Sequence, residues 1–138
     1  MAEDQSYPRV KKFFFLFIFI LSFSKAYSEN FKFIKIANLN NPWGSSFLNN
    51  DEMIITEKSG LIKIVNIINN QVNDVEHNLN FLEDGQGGLL DILHQENKVW
   101  ISYTENRGNR KTSTSIALAN LDKKNLVFKN IFQANPPI

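Results

Sequence analysis

Cysteine is absent from this 138-residue chain, which excludes a disulfide framework, a thiol nucleophile and a thiolate metal site. A strong charge of either sign is absent too, since 15 Lys and Arg residues are balanced by 14 Asp and Glu residues. Nucleic-acid binding needs clustered Lys and Arg that displace counterions from phosphates, and the sequence contains no such cluster. We therefore expect no nucleic-acid partner. The remaining composition is that of one ordinary globular domain.

The longest apolar run spans residues 13–21, near the start of the chain. Ala26 and Ser28 follow it in the small-x-small pattern that signal peptidase accepts, and basic residues precede it: Arg9, Lys11 and Lys12. We therefore interpret residues 1–28 as a signal peptide, so that the mature chain, residues 29–138, is periplasmic or secreted. A permanent membrane span is not expected, because a helix needs roughly 20 apolar residues to cross a bilayer. The alternatives are an uncleaved anchor and a buried apolar strand.

The mature chain alternates between apolar and polar residues with a period of two, in short bursts typical of half-buried strands. The pattern predicts strands at 31–36, 44–48, 52–57, 61–65, 89–93, 98–103, 113–121 and 126–133. Hairpin-sized turns separate the strands. Asn49-Asn50-Asp51 is expected to take left-handed backbone angles, and Gly60 supplies a positive φ in the next turn. The stretch 69–88 is predicted to be a loose connection.

Two successive antiparallel meanders of three or four strands predict an all-β fold. Consecutive four-stranded meanders are what the first one to two blades of a β-propeller look like. A β-sandwich has a similar strand spacing, so periodicity alone leaves both architectures open.

Several segments carry a resemblance to a known family. They are Asn41-Pro42-Trp43-Gly44, Thr56-Glu57-Lys58-Ser59-Gly60, Asp84-Gly85-Gln86-Gly87-Gly88-Leu89-Leu90-Asp91 and Val99-Trp100-Ile101-Ser102-Tyr103. In these segments the chain resembles the N-terminal part of the soluble pyrroloquinoline-quinone-dependent glucose and aldose dehydrogenases, the glucose/sorbosone dehydrogenase family. One departure is His94-Gln95-Glu96-Asn97, which stands where the family usually has a His-Pro-Asp-Phe-like turn.

The resemblance implies a six-bladed propeller with pyrroloquinoline quinone lying over its axis and calcium ions assisting. It implies an oxidoreductase that oxidises an aldose sugar to its lactone by hydride transfer to the quinone, while a histidine base removes the hydroxyl proton. That histidine would follow Ile138, so we expect this chain to be an N-terminal fragment that is inactive alone. Its protein partners would be the remaining blades, or a second copy in a homodimer of the full-length form. The alternatives are a non-catalytic propeller module that binds a partner or saccharide, and a small independent β-sandwich.

Only one active-site side chain is carried over by the resemblance, the amide of Gln86, as a ligand of the sugar and the quinone. An amide offers both a donor and an acceptor, so it can bridge a sugar hydroxyl and a quinone oxygen. Gly85, Gly87 and Gly88 would let the backbone approach the ligand closely. The alternative is an exposed turn in which the glycines serve only backbone angles. No catalytic residue and no metal ligand is assigned.

Other conspicuous residues have plainer interpretations. Asp84 and Asp91 could form a carboxylate pair for acid–base work or metal binding, but aspartates beside glycines usually cap turns. His77 and His94 have no histidine or cysteine at ligand spacing and are expected at the surface. The basic stretch 107–111 could be a site for an anionic ligand, but it is short and polar and is expected to be a solvated loop. Core positions are expected for the aromatic residues Trp43, Trp100 and Tyr103.

Overall fold

Short alternating runs of β-branched and aromatic residues form nine strands in residues 31–138, the part of the chain that this computed structural model describes. The predicted signal peptide and its cleavage site lie outside the described residues. The strands are β1 (Pro42–Phe47), β2 (Glu52–Glu57), β3 (Ile62–Asn66), β4 (Val72–His77), β5 (Leu89–Gln95), β6 (Lys98–Asn106), β7 (Thr112–Asn120), β8 (Asn125–Leu126) and β9 (Lys129–Gln133). Within this range no helix is long and apolar enough to cross a membrane.

The strands are arranged in two sheets. In the first sheet β1, β2, β3 and β4 are antiparallel neighbours, and β8 pairs with β4 in parallel. In the second sheet β5, β6, β7 and β9 are antiparallel neighbours in that order. This arrangement confirms the predicted all-β class and its four-stranded antiparallel meanders.

One hydrophobic core spans both sheets. Side chains alternate between the faces of a strand, so Val99, Ile101 and Tyr103 of β6 are buried while Trp100 and Ser102 are only half-buried. Strand β5 packs against β1 and β2 and so joins the two sheets. The core consists of Ile54, Ile62, Ile64, Val75, Leu89, Ile92, Val99, Ile101, Tyr103, Ala117, Ala119, Leu126 and Phe128.

Two predictions about strands are wrong. Residues 31–36 lie outside every strand, and Phe31 and Phe33 are 83% and 98% exposed. An alternating pattern becomes a strand only where a neighbouring strand accepts its backbone hydrogen bonds. The stretch 69–88, predicted to be a loose connection, contains β4. Most positions of β4 are exposed, so this strand lacks the apolar alternation that would have revealed it.

The predicted strand 126–133 is divided between the two sheets. Its first residues belong to β8 and its last to β9. Between them Phe128 turns into the core, where its N–H donates to Asn78 Oδ1 at 2.8 Å and its carbonyl accepts from Asn78 Nδ2 at 3.1 Å. A single side-chain amide therefore holds the point at which the chain leaves the first sheet.

The two predicted turns have different outcomes. Gly60 has a φ of +104°, as predicted, and a Cβ there would overlap the ring of Phe81. The turn Asn49-Asn50-Asp51 contains no residue with positive φ, which contradicts the prediction. The hairpin is closed by Leu48 N–H, which donates to Glu52 O at 2.9 Å, and the turn is supported by a side chain, since Asp51 N–H donates to Asn49 Oδ1 at 2.8 Å.

Candidate functional site

The Asp84–Gly88 loop connects the first sheet to the second, between β4 and β5. Gly87 N–H donates to Asp84 O at 2.6 Å, which closes a tight turn, and Gln86 is exposed in that turn. Gly85 has a φ of +51°, and a Cβ there would meet no atom within 4 Å. Glycine is therefore favoured at position 85 by the positive φ, and not by a lack of room for a side chain.

The base of the loop is fixed by its neighbours. Thr104 N–H donates to Gly88 O at 2.9 Å, and Leu89 N–H donates to Lys58 O at 3.2 Å. Lys58 Nζ donates to Gly85 O at 2.5 Å. A Cβ at Gly88, where φ is +140°, would overlap the carbonyl oxygen of Lys58. Gly88 therefore lies close to the backbone of Lys58, the residue that follows β2. The predicted approach of the loop glycines to a ligand stays a prediction.

A cleft of about 490 Å³ opens beside the loop. Its lining includes Gln86 and Gly87 from the loop, Thr104 from β6 and residues from β7 and the chain after β9. Gly85 is not part of the lining. The structure thus brings two of the three predicted binding residues to one cleft, whose polar groups include hydrogen-bond donors, acceptors and one carboxylate, that of Asp84.

Arg110 belongs to the basic stretch 107–111, for which the sequence favours a solvated loop over a site for an anionic ligand. The turn between β6 and β7 carries three consecutive residues with positive φ, at +77° for Gly108, +52° for Asn109 and +61° for Arg110. The turn places Arg110 in the lining of the same cleft as Gln86. Residues 108–111 are exposed, as predicted for a solvated loop, and Arg110 also lines the cleft. No local pattern signals this, because only the pairing of β6 with β7 brings the turn to the cleft.

A polar network fixes the strands that form the cleft wall. Glu105 on β6 accepts hydrogen bonds from Ser115 Oγ at 2.6 Å, Asn130 Nδ2 at 3.0 Å and Gln133 Nε2 at 2.8 Å. Tyr103 donates its hydroxyl hydrogen to Asn130 Oδ1 at 2.7 Å. Burial raises the pKa of the Tyr103 phenol above its ordinary value, so the hydroxyl remains a neutral donor. The network joins β6, β7 and β9 at fixed separations.

The Thr-Glu pair of the sequence motif is buried and connects backbone segments. Thr56 Oγ1 accepts from Gly44 N–H at 3.0 Å and donates to Leu90 O at 2.5 Å. Glu57 Oε1 accepts from Asn40 N–H at 2.7 Å, whereas its Oε2 has no hydrogen-bond partner among the residues that the structure describes. Neither side chain lines the cleft.

Both histidines are half-buried and hold backbone groups, which the surface prediction missed. His77 Nε2 lies 2.7 Å from Gly60 O, and its Nδ1 accepts from Leu79 N–H at 3.2 Å. His94 Nδ1 lies 3.1 Å from Phe47 O. Neither histidine lines the cleft, so neither is placed to act as a base there.

The two aspartates do not meet in the cleft. Asp84 belongs to its lining, whereas Asp91 lies on β5 outside it. Asp91 Oδ1 accepts from Ile92 N–H at 2.9 Å, which is a local backbone contact. The structure therefore gives no support to a carboxylate pair at this site.

The aromatic residues differ in burial. Tyr103 is 2% exposed, as the core prediction requires, and Trp100 is half-buried. Trp43 is 50% exposed, so the core prediction is wrong for this residue. The reason is the alternation of faces along β1, since the next residue, Gly44, is buried against Asp91 of β5 and Trp43 lies on the opposite face.

The described residues contain no carboxylate cluster of the kind that holds calcium. Calcium takes six to eight oxygen ligands, mostly from carboxylates and carbonyls. Within residues 31–138 no group of three or more His, Cys, Asp or Glu side chains is arranged to hold a metal ion. No step of the chemistry is therefore assigned to calcium in this part of the chain.

Two consecutive antiparallel sheets joined by a glycine-rich loop define neighbouring blades of a β-propeller. The model of the Glucose / Sorbosone dehydrogenase family matches residues 39–138. The chain belongs to this family. Solved structures of sugar dehydrogenases share the fold, which confirms the propeller and excludes the β-sandwich.

A crystal structure of a glucose dehydrogenase is 25% identical with a TM-score of 0.66, and the match covers 72% of this chain and 32% of that one. The soluble aldose sugar dehydrogenase from Escherichia coli, in its apo form, has the same identity of 25%, a TM-score of 0.66 and coverages of 72% and 31%. The aldose sugar dehydrogenase from Streptomyces coelicolor, solved with PQQ bound, is 19% identical with a TM-score of 0.62 and coverages of 72% and 32%, and it shows the fold alone. The chain thus spans about one third of the length of these proteins. A search of curated proteins found no match.

Proposed function

We propose that this chain supplies the first blades of a quinone-dependent sugar dehydrogenase, which oxidises an aldose to its lactone by hydride transfer to pyrroloquinoline quinone. The observation that carries the proposal is the cleft in which Gln86, from the family-like Asp-Gly-Gln-Gly-Gly loop, lies together with Arg110. Membership of the glucose/sorbosone dehydrogenase family supports it. So does the quinone bound by the neighbour from Streptomyces coelicolor.

The described cleft offers the quinone one cationic group and one amide, Arg110 and Gln86, beside the carboxylate of Asp84. Pyrroloquinoline quinone carries carboxylates as well as quinone oxygens. Arg110 would pair with a carboxylate, and the Gln86 amide would donate to an oxygen. A Cβ at Gly87 would lie 3.0 Å from Asp84 O and 3.1 Å from the Thr104 side chain, so glycine keeps the turn narrow at the cleft wall. When bound, the quinone would supply the two-electron acceptor.

The role of this part of the chain would be to bind the sugar and to orient it beside the acceptor. Gln86 would hold a sugar hydroxyl beside the acceptor without changing its own charge, since an amide does not titrate. Thr104 and Thr114 add hydroxyl groups to the cleft wall. No described residue is assigned as the base that removes the sugar's hydroxyl proton, because neither histidine lines the cleft. That group would come from another blade.

Further blades, in the same polypeptide or in a partner, would complete the propeller. A propeller closes only when its last blade meets its first. The later blades would also carry the calcium ligands that the described residues lack. A homodimer of the complete form remains part of the proposal.

Export is proposed from the N-terminal sequence, which has the layout of a secretory signal peptide. Expression of the full chain in a bacterial host, followed by N-terminal sequencing of the protein in the periplasmic fraction, tests this. We expect the sequence to begin at Glu29. Recovery of the chain from the cytoplasm with Met1 or Ala2 at its start would contradict export.

A non-catalytic saccharide-binding propeller is the second candidate. It is favoured by one observation, the absence of a histidine from the described lining of the cleft. Propellers carry many unrelated functions, and a polar cleft suits a sugar with or without a redox partner.

Titration of the full chain with pyrroloquinoline quinone, followed by absorbance, separates the two candidates. We expect saturable binding that Gln86→Ala weakens about tenfold, which corresponds to about 1.4 kcal/mol for one lost hydrogen bond. Gln95→Ala is the matched control, since Gln95 is exposed at the end of β5 and outside the cleft. Binding of an aldose without binding of the quinone would favour the second candidate. A folded chain that binds neither ligand would contradict both proposals.

A further inference from the structure

We propose that Lys58 is a positioning residue, which holds the tip of the Asp84–Gly88 loop through Gly85 and so sets the point from which Gln86 reaches the cleft. The inference rests on the function proposed for Gln86. Lys58 itself is not part of the cleft lining. Its role would be exerted through the loop backbone and not through contact with a ligand.

Lys58 contacts the loop with its main chain and its side chain. Its carbonyl oxygen accepts from Leu89 N–H at 3.2 Å, at the point where the loop enters β5. The same carbonyl lies where a Cβ of Gly88 would be, and the Lys58 side-chain stem lies beside it, with Cγ 3.0 Å from that position. Gly88 is thus closed in by Lys58. This fixes the end of the loop nearest to the sheet.

The side chain of Lys58 then reaches the other end of the loop. Its Nζ donates to Gly85 O at 2.5 Å, a charge-assisted hydrogen bond from an ammonium to a carbonyl. Lys58 N–H donates to Asn41 O at 3.1 Å, so the residue is itself anchored to the chain before β1. Lys58 therefore connects the loop to the first sheet and fixes the position of Gly85 relative to that sheet.

The tip of the loop depends on this single side chain. The turn itself is closed by the hydrogen bond from Gly87 N–H to Asp84 O. Within the described residues, the bond from Lys58 Nζ to Gly85 O is the hydrogen bond that connects residues 85–86 to another part of the chain. The surroundings of Gly85 are open, because a Cβ there would meet no atom within 4 Å. Packing does not hold the tip in place. The loop glycines also give it intrinsic freedom, which a tether must restrict if Gln86 is to be preorganised.

The experiment compares Lys58→Met, Lys58→Arg and the control Lys98→Met in the full chain. Methionine keeps the apolar stem and removes the donor, arginine keeps a donor, and Lys98 is an exposed lysine at the start of β6, outside the cleft. Two quantities are measured, the hydrogen-exchange rate of the Gly87 amide, which forms the turn bond to Asp84, and the dissociation constant of pyrroloquinoline quinone. Thermal unfolding of each variant checks that the fold is retained. Lys58→Leu, which also lacks a donor, replaces Lys58→Met if the methionine variant does not fold.

Loss of one exposed charge-assisted bond is expected to speed Gly87 exchange by about three- to tenfold in Lys58→Met and to weaken quinone binding by a similar factor. Lys58→Arg and Lys98→Met are expected to match the wild type. Unchanged Gly87 exchange in Lys58→Met, or loss of protection in Lys58→Arg equal to that in Lys58→Met, would overturn the inference. A wild-type chain that protects Gly87 through Lys58 but binds no quinone would refute the proposed function and leave the tether established.

Discussion

Thr56 on β2 donates its hydroxyl hydrogen to the carbonyl oxygen of Leu90 on β5, across a distance of 2.5 Å. The hydroxyl oxygen of Thr56, Oγ1, accepts from Gly44 N–H on β1 at 3.0 Å. One buried hydroxyl therefore satisfies two backbone groups and joins the first sheet to the second. Leu90 also belongs to the cleft lining, so the bond ties the cleft to the first sheet.

Replacement of Thr56 by valine tests the energetic weight of this contact. Valine keeps the shape of the side chain but leaves Gly44 N–H and Leu90 O without their partner. We expect a loss of about 2 to 4 kcal/mol in the free energy of unfolding, since each unsatisfied buried group costs about 1 to 3 kcal/mol. Urea unfolding measures it, with Thr114→Val as the control because Thr114 is exposed on β7. Equal losses in the two variants would show that the hydroxyl of Thr56 has no special role.

Substitution of the loop glycines separates two effects, the strain of a positive φ and the steric clash of an added side chain. Gly85→Ala places a side chain in open surroundings at positive φ, and we expect it to cost about 1 kcal/mol. Gly88→Ala adds a clash with the Lys58 carbonyl. Local backbone strain alone costs up to about 3 kcal/mol, so we expect this variant to lose more than about 3 kcal/mol of unfolding free energy or not to fold. Thermal unfolding of both variants decides. Similar melting temperatures would mean that the loop relaxes away from Lys58.

The ion pair between Glu52 and Lys123 predicts a pH dependence of stability. Hydrogen bonds from Lys123 and then from Asn49 hold the pKa of the Glu52 carboxyl below its ordinary value of 4.5. Because the folded pKa is the lower one, the contribution is present above the unfolded pKa and is lost as the pH falls through the folded pKa. We expect the urea midpoint of the wild type to decrease between about pH 5 and about pH 3 more steeply than that of Glu52→Gln.

The control for that measurement is Glu76→Gln, on an exposed position of β4. Since the Glu52–Lys123 pair is partly exposed, added salt is expected to reduce the difference between wild type and Glu52→Gln. Identical pH profiles for wild type and Glu52→Gln at low salt would contradict the assignment.

The second sheet has an apolar face turned away from the core. Ile116 lies opposite Phe132 in the β7–β9 register, and Phe132 is 53% exposed. Leu93, Trp100 and Leu118 share this face through the registers of β5, β6 and β7. A face of this kind promotes association. Phe132→Lys is therefore expected to shift the chain from oligomers toward monomer in analytical ultracentrifugation.

Ile68→Lys is the matched control, because Ile68 is 72% exposed in the turn after β3 and does not belong to this face. If Ile68→Lys dissociates the oligomers as well as Phe132→Lys does, general charge and not the sheet face controls association. The expected dependence on Phe132 would identify the face that a further blade or a second copy covers.

Period-two alternation predicted the strands in which buried and less buried positions alternate, such as β6 and β7, because burial and sequence pattern coincide there. It missed β4, where exposure removes the apolar signal, and it joined β8 to β9, because both are extended and only their partners differ. At the candidate site the resemblance pointed to Gln86. Arg110 and Lys58 reach the loop or the cleft through long-range pairing, which no local spacing encodes.

Strand β8 has two residues, yet it determines the order in which this protein can acquire its structure. It adds the last strand of the first sheet only after three strands of the second sheet have been made. Leu126 and Phe128, which are 0% and 5% exposed, enter the shared core at the same point. A nascent chain therefore cannot complete its first sheet and then begin the next. We therefore expect the two sheets to form as one cooperative unit, late in synthesis, and a chain interrupted before Leu126 would leave both of them unfinished.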